Sequence, residues 1–308
     1  MSEPPVTVGD DVPGPLVKVD DPHDKRLAPY RKLNDPAARK RLESESSFFM
    51  VEGKLAVERL LQSGYPVRSL LVDDHQASAA GGLVSAVRAR GAPVFVGTRE
   101  VVAETVGFAL HRGVVAVAER PEATDADQLL IDSRQTVVSG ATPMIAVLEG
   151  LNDHENIGAL FRNAAAFGAA GVVLDPTCAD PLYRRSVRVS LGYVLHVPFA
   201  RLAPWPDGLD RVRSAGFVVA ALTPHPPSGG GVRHLTLEEL HGTLPAFGGR
   251  RTDVPTGVAL LLGAEGSGLS EAALDASDVT VSIPMSGGID SLNVATAAAV
   301  AFHALFRL

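Results

Sequence analysis

The chain contains 308 residues, of which 46% are hydrophobic and 20% are charged. This length accommodates two ordinary domains, or one large one, each with its own hydrophobic core. The net charge of −7 argues against a protein that binds nucleic acid through its whole surface.

Cysteine content and hydropathy exclude several further classes. The single cysteine, Cys178, excludes an internal disulfide and a CxxC pair, and the nine histidines lack HExxH spacing, so we predict no metal site. No apolar run approaches the roughly 20 residues of a membrane helix. The N-terminal stretch MSEPPVTVGDDVPGP lacks the basic and apolar regions of a secretory signal. We therefore expect a cytoplasmic protein without a membrane span.

Charge is unevenly distributed at the start of the chain. Residues 1–24 are rich in Asp and Pro and are predicted to form a disordered acidic tail. Residues 25–41, called the basic run below, contain seven lysines and arginines and only one acid. Such a run could follow a phosphate backbone, or it could be an ordinary solvated helix face. The candidate contacts that we assign are Lys25, Arg26, Arg31 and Lys32.

A small α/β module follows the basic run. We predict strands at FFMVEG, RSLLVDD, PVFVG and GVVAVAER, with a helix through KLAVERLLQSG after the first. This module and the basic run make up a predicted N-terminal domain of residues 25–120. Residues 121–142 have no sustained period and contain Pro, Asp, Ser and Gly, so they are predicted to be a linker.

Residues 143–308 alternate strands with helices. The predicted strands are MIAVLEG, GVVLD, LHVPFA, FVVAALT, GVALLLG and VTVSIPM, and a Gly/Pro-rich insert spans residues 224–233. Uniformly apolar strands alternating with helices indicate a parallel sheet that is covered on both faces. Ligands of such sheets bind beyond the carboxyl ends of the strands.

The loop after MIAVLEG carries Asn156 and, on the following helix, Arg162. In a purely structural interpretation, Asn156 caps the helix and Arg162 pairs with a surface acid. The apolar residues that flank Arg162 instead predict that its head group reaches a partly buried rim.

A second loop, LLLGAEGSGLS, runs from a strand into a dense set of glycines. Leu269 stands where a phosphate-binding P-loop requires lysine, and Glu271 stands where a dinucleotide fingerprint requires a small residue. The glycines still allow close backbone approach, and Glu265 adds a negative charge. The loop therefore suits a ligand with hydrogen-bonding edges and a cation.

The third loop, IPMSGGIDSLNVATAAAV, opens an alanine-rich helix near the end of the chain. Asp290 or Ser291 could simply cap this helix. Three such loops, each predicted at the carboxyl end of a strand in one sheet, make coincidence a poor explanation.

Through these three loops, residues 145–308 resemble the SpoU branch, or TrmH family, of SPOUT RNA ribose methyltransferases. The motifs are NIGALFRNAAAFGA, LLLGAEGSGLS and IPMSGGIDSLNVATAAA. The resemblance implies a SPOUT parallel sheet with a C-terminal trefoil knot. Residues 25–120 are more loosely similar to the family's N-terminal α/β substrate-binding domain, which implies RNA binding.

The resemblance also implies roles for individual residues. The S-adenosylmethionine contacts would be Leu222, Gly263, Glu265, Ile283, Met285 and Leu292. The polar set around the reacting ribose would be Asn156, Arg162, Glu265, Ser291 and Asn293. Because a guanidinium is effectively never deprotonated, we expect Arg162 to hold a phosphate or to stabilise the developing alkoxide.

The implied reaction is methyl transfer from S-adenosylmethionine to a ribose 2′-hydroxyl of ribosomal or transfer RNA. The alternatives are methylation of another RNA position, and a non-catalytic RNA-binding assembly factor of the same fold. Arg184, Arg185 and Arg188 are either further RNA contacts or residues of the surface or a subunit interface. The resemblance and the small-residue stretches NAAAFGAAG and NVATAAAVAFHA predict a homodimer.

Overall fold

The computed structural model describes residues 13–35, 42–43, 46–110, 113–135, 142–224, 232–243, 257–287 and 291–305. The chain divides into two compact units, Met1–Pro121 and Glu122–Leu308. The division therefore falls at the start of the predicted linker. Within the ranges given above, no helix combines the length and the apolar character that crossing a bilayer requires.

The N-terminal unit is built on a five-stranded mixed sheet of order β1-β4-β3-β5-β2. Its strands are β1 (Leu16–Lys18), β2 (Phe48–Glu52), β3 (Val67–Asp73), β4 (Val94–Gly97) and β5 (Val114–Glu119). Its helices are α1 (Lys54–Gln62), α2 (Asp74–Ala79), α3 (Gly81–Arg88) and α4 (Arg99–Val106), with a 3-10 helix at Lys25–Tyr30. β1, β4 and β3 are mutually parallel, whereas β5 runs antiparallel to β3 and β2.

The predicted tail is wrong for residues 13–24. Leu16–Lys18 form β1, which pairs with β4 in the register Leu16↔Val94, and Val19 is buried in the core. Three residues surrounded by Pro and Asp form too short a pattern to predict a strand. They adopt strand structure because they pair with the edge of β4. Residues 1–12 lie outside the described residues.

The C-terminal unit contains a seven-stranded sheet of order β10-β12-β9-β11-β6-β7-β8. Its strands are β6 (Met144–Glu149), β7 (Gly171–Leu174), β8 (Phe199–Arg201), β9 (Phe217–Leu222), β10 (Arg233–Thr236), β11 (Gly257–Gly263) and β12 (Val279–Ser282). Every neighbouring pair is parallel, which confirms the predicted parallel sheet. The central strands are buried along their length, as continuous apolar runs require.

Helices precede, connect and follow the strands of this sheet. They are α5 (Ala126–Gln135), α6 (His154–Ala166), α7 (Arg184–Val189), α8 (Leu209–Ser214), α9 (Leu237–Thr243), α10 (Glu271–Asp275) and α11 (Val294–Leu305), with a 3-10 helix at Tyr193–Leu195. α6 and α11 pack together, and the Asn163 side chain donates a hydrogen bond of 2.7 Å to the carbonyl oxygen of Ala295.

Two predictions for this half of the chain are corrected. The predicted linker contains α5, whose Leu129 and Leu130 are 2% and 1% exposed within the core of the C-terminal unit. Its apolar residues are too few to reveal a helix without the sheet that buries them. A strand was also missed: β10 begins at Arg233, the last residue of the predicted insert, and pairs with β12 at the sheet edge. Residues 225–231 lie outside the described residues.

Candidate active site

A pocket of about 700 Å³ opens where β9, β11 and β12 end. Leu222 and Gly263 are the last residues of β9 and β11, and Ile283 directly follows β12. Parallel strands place their carboxyl ends at one edge, so three segments distant in sequence line one cavity. All six residues predicted to contact the cofactor line it: Leu222, Gly263, Glu265, Ile283, Met285 and Leu292.

One wall of the pocket is the glycine loop, defined here as Gly263–Leu269. Ala264 and Gly268 face each other across the loop, and the Gly268 N–H donates a 3.0 Å hydrogen bond to the Ala264 carbonyl oxygen. A Cβ on Gly263 would lie 2.4 Å from the carbonyl carbon of Gly268. Only glycine therefore allows this closed loop, which brings backbone polar groups to the pocket wall.

Three polar side chains meet beside the glycine loop, and they are called the polar cluster. Asn293 Nδ2 donates hydrogen bonds of 2.9 Å to Asn156 Oδ1 and of 2.6 Å to Glu265 Oε1. The Asn293 Oδ1 accepts a hydrogen bond of 3.1 Å from the Thr296 N–H in the first turn of α11. Asn156 is buried, whereas Glu265 is exposed at the pocket. The structure thus unites one predicted residue from each of the three loops.

Ser291 and Arg162 complete the predicted catalytic set, and they occupy different places. Ser291 lines the pocket. Arg162 is exposed on α6, so the prediction that its head group reaches a partly buried rim is wrong. The three residues of the polar cluster make no hydrogen bond or ion pair with Arg162 in the described structure.

Arg26 and Arg31, the arginines of the basic run that lie within the described residues, have acidic or carbonyl partners. Arg26 forms a two-pronged ion pair with Asp24, at 3.0 Å between Nε and Oδ1 and 2.5 Å between Nη2 and Oδ2. This pairing lowers the pKa of Asp24 to about 2. Arg31 donates to the Asp24 carbonyl oxygen at 2.8 Å. Lys25 and Lys32 are exposed.

The three arginines of α7 differ in their exposure. Arg185 pairs with Glu155 of α6 at 2.6 Å, with both side chains about half exposed (52% and 50%). This contact fits the surface interpretation of Arg185 and links the helix of the first loop to α7. Arg188 is exposed and Arg184 is half-buried.

Asp175 and Cys178, which follow β7, have structural roles. Asp175, after β7, accepts hydrogen bonds from the N–H groups of Gly150 and Cys178 at 3.2 and 2.7 Å. Burial, with Asp175 nearby, raises the pKa of the Cys178 thiol to about 12, so the thiol stays protonated near neutral pH. Across the described ranges, no group of three His, Cys, Asp or Glu residues could hold a metal ion.

Sequence reasoning missed Glu149, the last residue of β6. It is 9% exposed, and its carboxylate accepts hydrogen bonds from Trp205 and Ser270. The available signal was a carboxylate at the end of an otherwise apolar strand, which in a buried position requires partners.

Two family models match the chain. The SpoU rRNA Methylase family matches residues 143–303, and the RNA 2′-O ribose methyltransferase substrate-binding family matches residues 50–124. The first match covers more than half of the chain, so the chain belongs to the SpoU methylase family. The resemblance stated from the three motifs is confirmed.

Relatives and solved structures agree with this membership. A protein of Mycobacterium bovis, described as an uncharacterized tRNA/rRNA methyltransferase, is 44% identical over 92% of this chain and 89% of its own. The SpoU methyltransferase AviRb of Streptomyces viridochromogenes, solved with the cofactor AdoMet, is 25% identical with a TM-score of 0.71, covering 92% of this chain and 98% of its own.

A further structure shares the fold. The AdoMet-bound rRNA methyltransferase of Sinorhizobium meliloti has a TM-score of 0.71 at 23% identity, covering 94% of this chain and 97% of its own. The SPOUT α/β fold is therefore confirmed, and the trefoil knot stays a prediction consistent with these neighbours.

Proposed function

We propose that this protein transfers a methyl group from S-adenosylmethionine to a ribose 2′-hydroxyl of transfer or ribosomal RNA. The enzyme is an S-adenosylmethionine-dependent methyltransferase of the SpoU family. The observation that carries the finer assignment is the polar cluster, which gathers Asn156, Glu265 and Asn293 beside a pocket built by the strand ends.

The pocket fits the chemistry of S-adenosylmethionine. Its volume lies within the roughly 300–1,000 Å³ that small-molecule pockets occupy. Leu222, Ile283 and Leu292 supply apolar surface, and the glycine loop supplies backbone N–H and C=O groups for hydrogen-bonding edges. Glu265 supplies the negative charge that suits a sulfonium. When bound, the cofactor supplies an electrophilic methyl group.

The hydrogen bonds suit the residues of the polar cluster to different roles. Both N–H bonds of the Asn293 amide serve Asn156 and Glu265, and its oxygen caps α11. Asn293 is therefore best suited to hold the other two in place. The Asn156 amide nitrogen and the second carboxylate oxygen of Glu265 remain to meet the substrate.

We assign Arg162 the role of an electrostatic clamp for the substrate. Its exposed guanidinium presents a planar donor fork that fits a phosphate or a developing alkoxide. Since Arg162 lies outside the polar cluster, bound RNA or a second subunit must bring the reacting ribose within its reach. The ribose proton then leaves to a phosphate or to solvent, because an arginine does not act as a base.

A homodimer is part of this proposal, but the structural argument for it differs from the argument made from the sequence. Much of the small-residue surface that predicted it is already used within one chain, since Ala164 of α6 and Ala298 and Ala301 of α11 are fully buried. Outside the pocket, Val300 of α11 remains 42% exposed. Light scattering at micromolar concentration should give twice the monomer mass, and a monomer mass would remove the dimer from the proposal.

The N-terminal unit is proposed to bind the RNA. It contains nearly all of the match to the substrate-binding family, and the exposed Lys25 and Lys32 lie in the same unit. RNA affinity should therefore fall with salt.

Methylation followed by mass spectrometry tests the function. Transfer and ribosomal RNA from cells lacking the protein are incubated with the purified chain and labelled S-adenosylmethionine, then digested to nucleosides. The proposal expects a 2′-O-methylnucleoside, and an oligonucleotide with a single 2′-deoxy substitution at that site should accept no label. A base-methylated nucleoside would establish the first alternative, and RNA binding without cofactor binding would establish the second.

A further inference from the structure

Three neutral donors converge on the carboxylate of Glu149. Oε1 accepts from Trp205 Nε1 at 2.6 Å and from Ser270 Oγ at 2.7 Å, and Oε2 accepts from the Ser270 N–H at 2.9 Å. Because Glu149 is only 9% exposed, these bonds stand in for the water contacts that a buried carboxylate lacks. Hydrogen bonds to a carboxylate are roughly twice as strong as neutral ones, so the three bonds together favour this one arrangement of Glu149, Trp205 and Ser270.

Glu149 holds both ends of the glycine loop. At the start of the loop, Gly263 lies opposite Glu149 in the parallel pairing of β11 with β6. At its end, Ser270 is bonded twice to the Glu149 side chain. A single residue of β6 therefore sets the span of the loop, although Glu149 is not among the residues that line the pocket.

The same contact fixes the helix that follows the loop. Ser270 caps α10, because its Oγ accepts a hydrogen bond of 3.1 Å from the Ala273 N–H. The hydroxyl proton is consequently directed to Glu149. Leu274 of α10 also lines the pocket, so the orientation of Ser270 bears on two parts of the pocket wall.

We propose that Glu149 is a positioning residue for the cofactor, acting through Ser270 to hold the glycine loop in its binding conformation and linking that loop to Trp205. This inference rests on the proposed use of the pocket for S-adenosylmethionine. It concerns cofactor affinity and adds no chemical step.

Glu149→Gln is the sharpest substitution. The size of the side chain is kept, but a glutamine offers one acceptor oxygen and an NH₂ group where three donors point. Either the Ser270 N–H or the pair of donors at Oε1 then faces another donor. The glycine loop should lose its fixed end while the remaining fold keeps its packing.

Isothermal titration with S-adenosylmethionine measures the effect. We expect Glu149→Gln to raise the Kd at least about tenfold, equivalent to about 1.4 kcal/mol. Asp175→Asn is the matched control, because Asp175 is 3% exposed and follows the neighbouring strand, yet bonds no pocket-lining residue. Its Kd should remain within twofold of wild type, and thermal melts establish that both variants are folded.

Ser270→Ala provides a second variant at an exposed position, and its thermal melt establishes that it is folded despite the lost cap of α10. If Glu149 acts through Ser270, the double variant should bind no more weakly than Glu149→Gln alone, whereas independent sites would add their effects. Trp205 is the only tryptophan of the chain and gives an independent readout. Its emission should shift when S-adenosylmethionine binds to the wild type, and the shift should be smaller in Glu149→Gln.

The outcomes separate this inference from the proposed function. Absence of binding by the folded wild type would remove the proposed function itself. Wild-type binding with an unchanged Kd in folded Glu149→Gln would overturn the positioning role, as would an equal loss in Asp175→Asn. Fully additive effects in the double variant, or unchanged Trp205 emission at saturating cofactor, would also contradict the coupling.

Discussion

The basic run of the N-terminal unit and the polar cluster of the C-terminal unit contrast in how their polar groups find partners. In the basic run, Arg26 is neutralised by Asp24, two residues away. In the polar cluster, Asn293 bonds Asn156 across 137 positions of the chain. A row of charges in sequence is therefore a poor guide to free charge, whereas a parallel sheet joins distant loops at one edge.

The largest expected effect comes from Arg162, the exposed residue that we propose as the electrostatic clamp. Arg162→Ala should slow methyl transfer at least about 10²-fold, the scale of one lost oxyanion donor, and leave cofactor affinity nearly unchanged. Arg162→Lys should also lose most activity, because a point charge replaces the planar fork. Single-turnover rates at saturating cofactor measure both.

A surface ion pair of the same unit serves as the control for Arg162. Arg211 pairs with Asp127 at 2.6 Å, and Arg211→Ala should change stability by less than about 1 kcal/mol without affecting turnover. Near-normal transfer by folded Arg162→Ala would falsify the clamp role, while the fold and cofactor assignments would stand.

The next effect concerns the glycine loop. Gly263→Ala would place a methyl group 2.4 Å from the carbonyl carbon of Gly268, so the loop must open. We expect cofactor Kd to rise at least about tenfold, or about 1.4 kcal/mol, by titration calorimetry. Gly242→Ala on α9, where an added Cβ meets nothing within 4 Å, should bind normally. Equal affinities in the two variants would contradict the role of the loop.

Two substitutions at Asn293 separate its two roles, which are to cap α11 and to hold the polar cluster together. Asn293→Asp keeps an acceptor for the Thr296 N–H but loses both donors and faces Glu265 with a second carboxylate. Transfer should slow about tenfold or more, with helix capping retained. Asn293→Ala should additionally lose about 1 kcal/mol of stability, the usual value of an N-cap. Rapid transfer by Asn293→Asp, measured beside a chemical melt, would show the cluster to be dispensable.

The smallest effects test the basic run itself. Lys25→Ala and Lys32→Ala should each weaken RNA binding a few-fold and lower the slope of log affinity against log salt by about one phosphate contact. Arg26→Ala should have less effect, because Asp24 already neutralises its charge. Filter binding at several salt concentrations checks this order, and a larger loss for Arg26 would reverse the contrast between the two regions.

Some features were predictable because they are local or repeated. Apolar runs such as GVALLLG have the pattern of buried parallel strands, and β11 is buried along nearly its whole length. The three motif loops were recognisable, and the pocket includes all the predicted cofactor contacts. By contrast, β1, β10 and α5 have short or irregular patterns that become ordered only against a neighbouring strand or core.

The sequence by itself determined the family, the parallel sheet and the three loops, because strand and motif patterns are properties of adjacent residues. Only the tertiary structure decided how their polar groups are used. In the structure, the Asn293 amide nitrogen donates both of its hydrogen bonds within the polar cluster, and Arg162 lies outside that cluster. The tertiary structure also joined Glu149 to Ser270 across 121 positions, since hydrogen-bond partners are set by distances in space and not by separation along the chain.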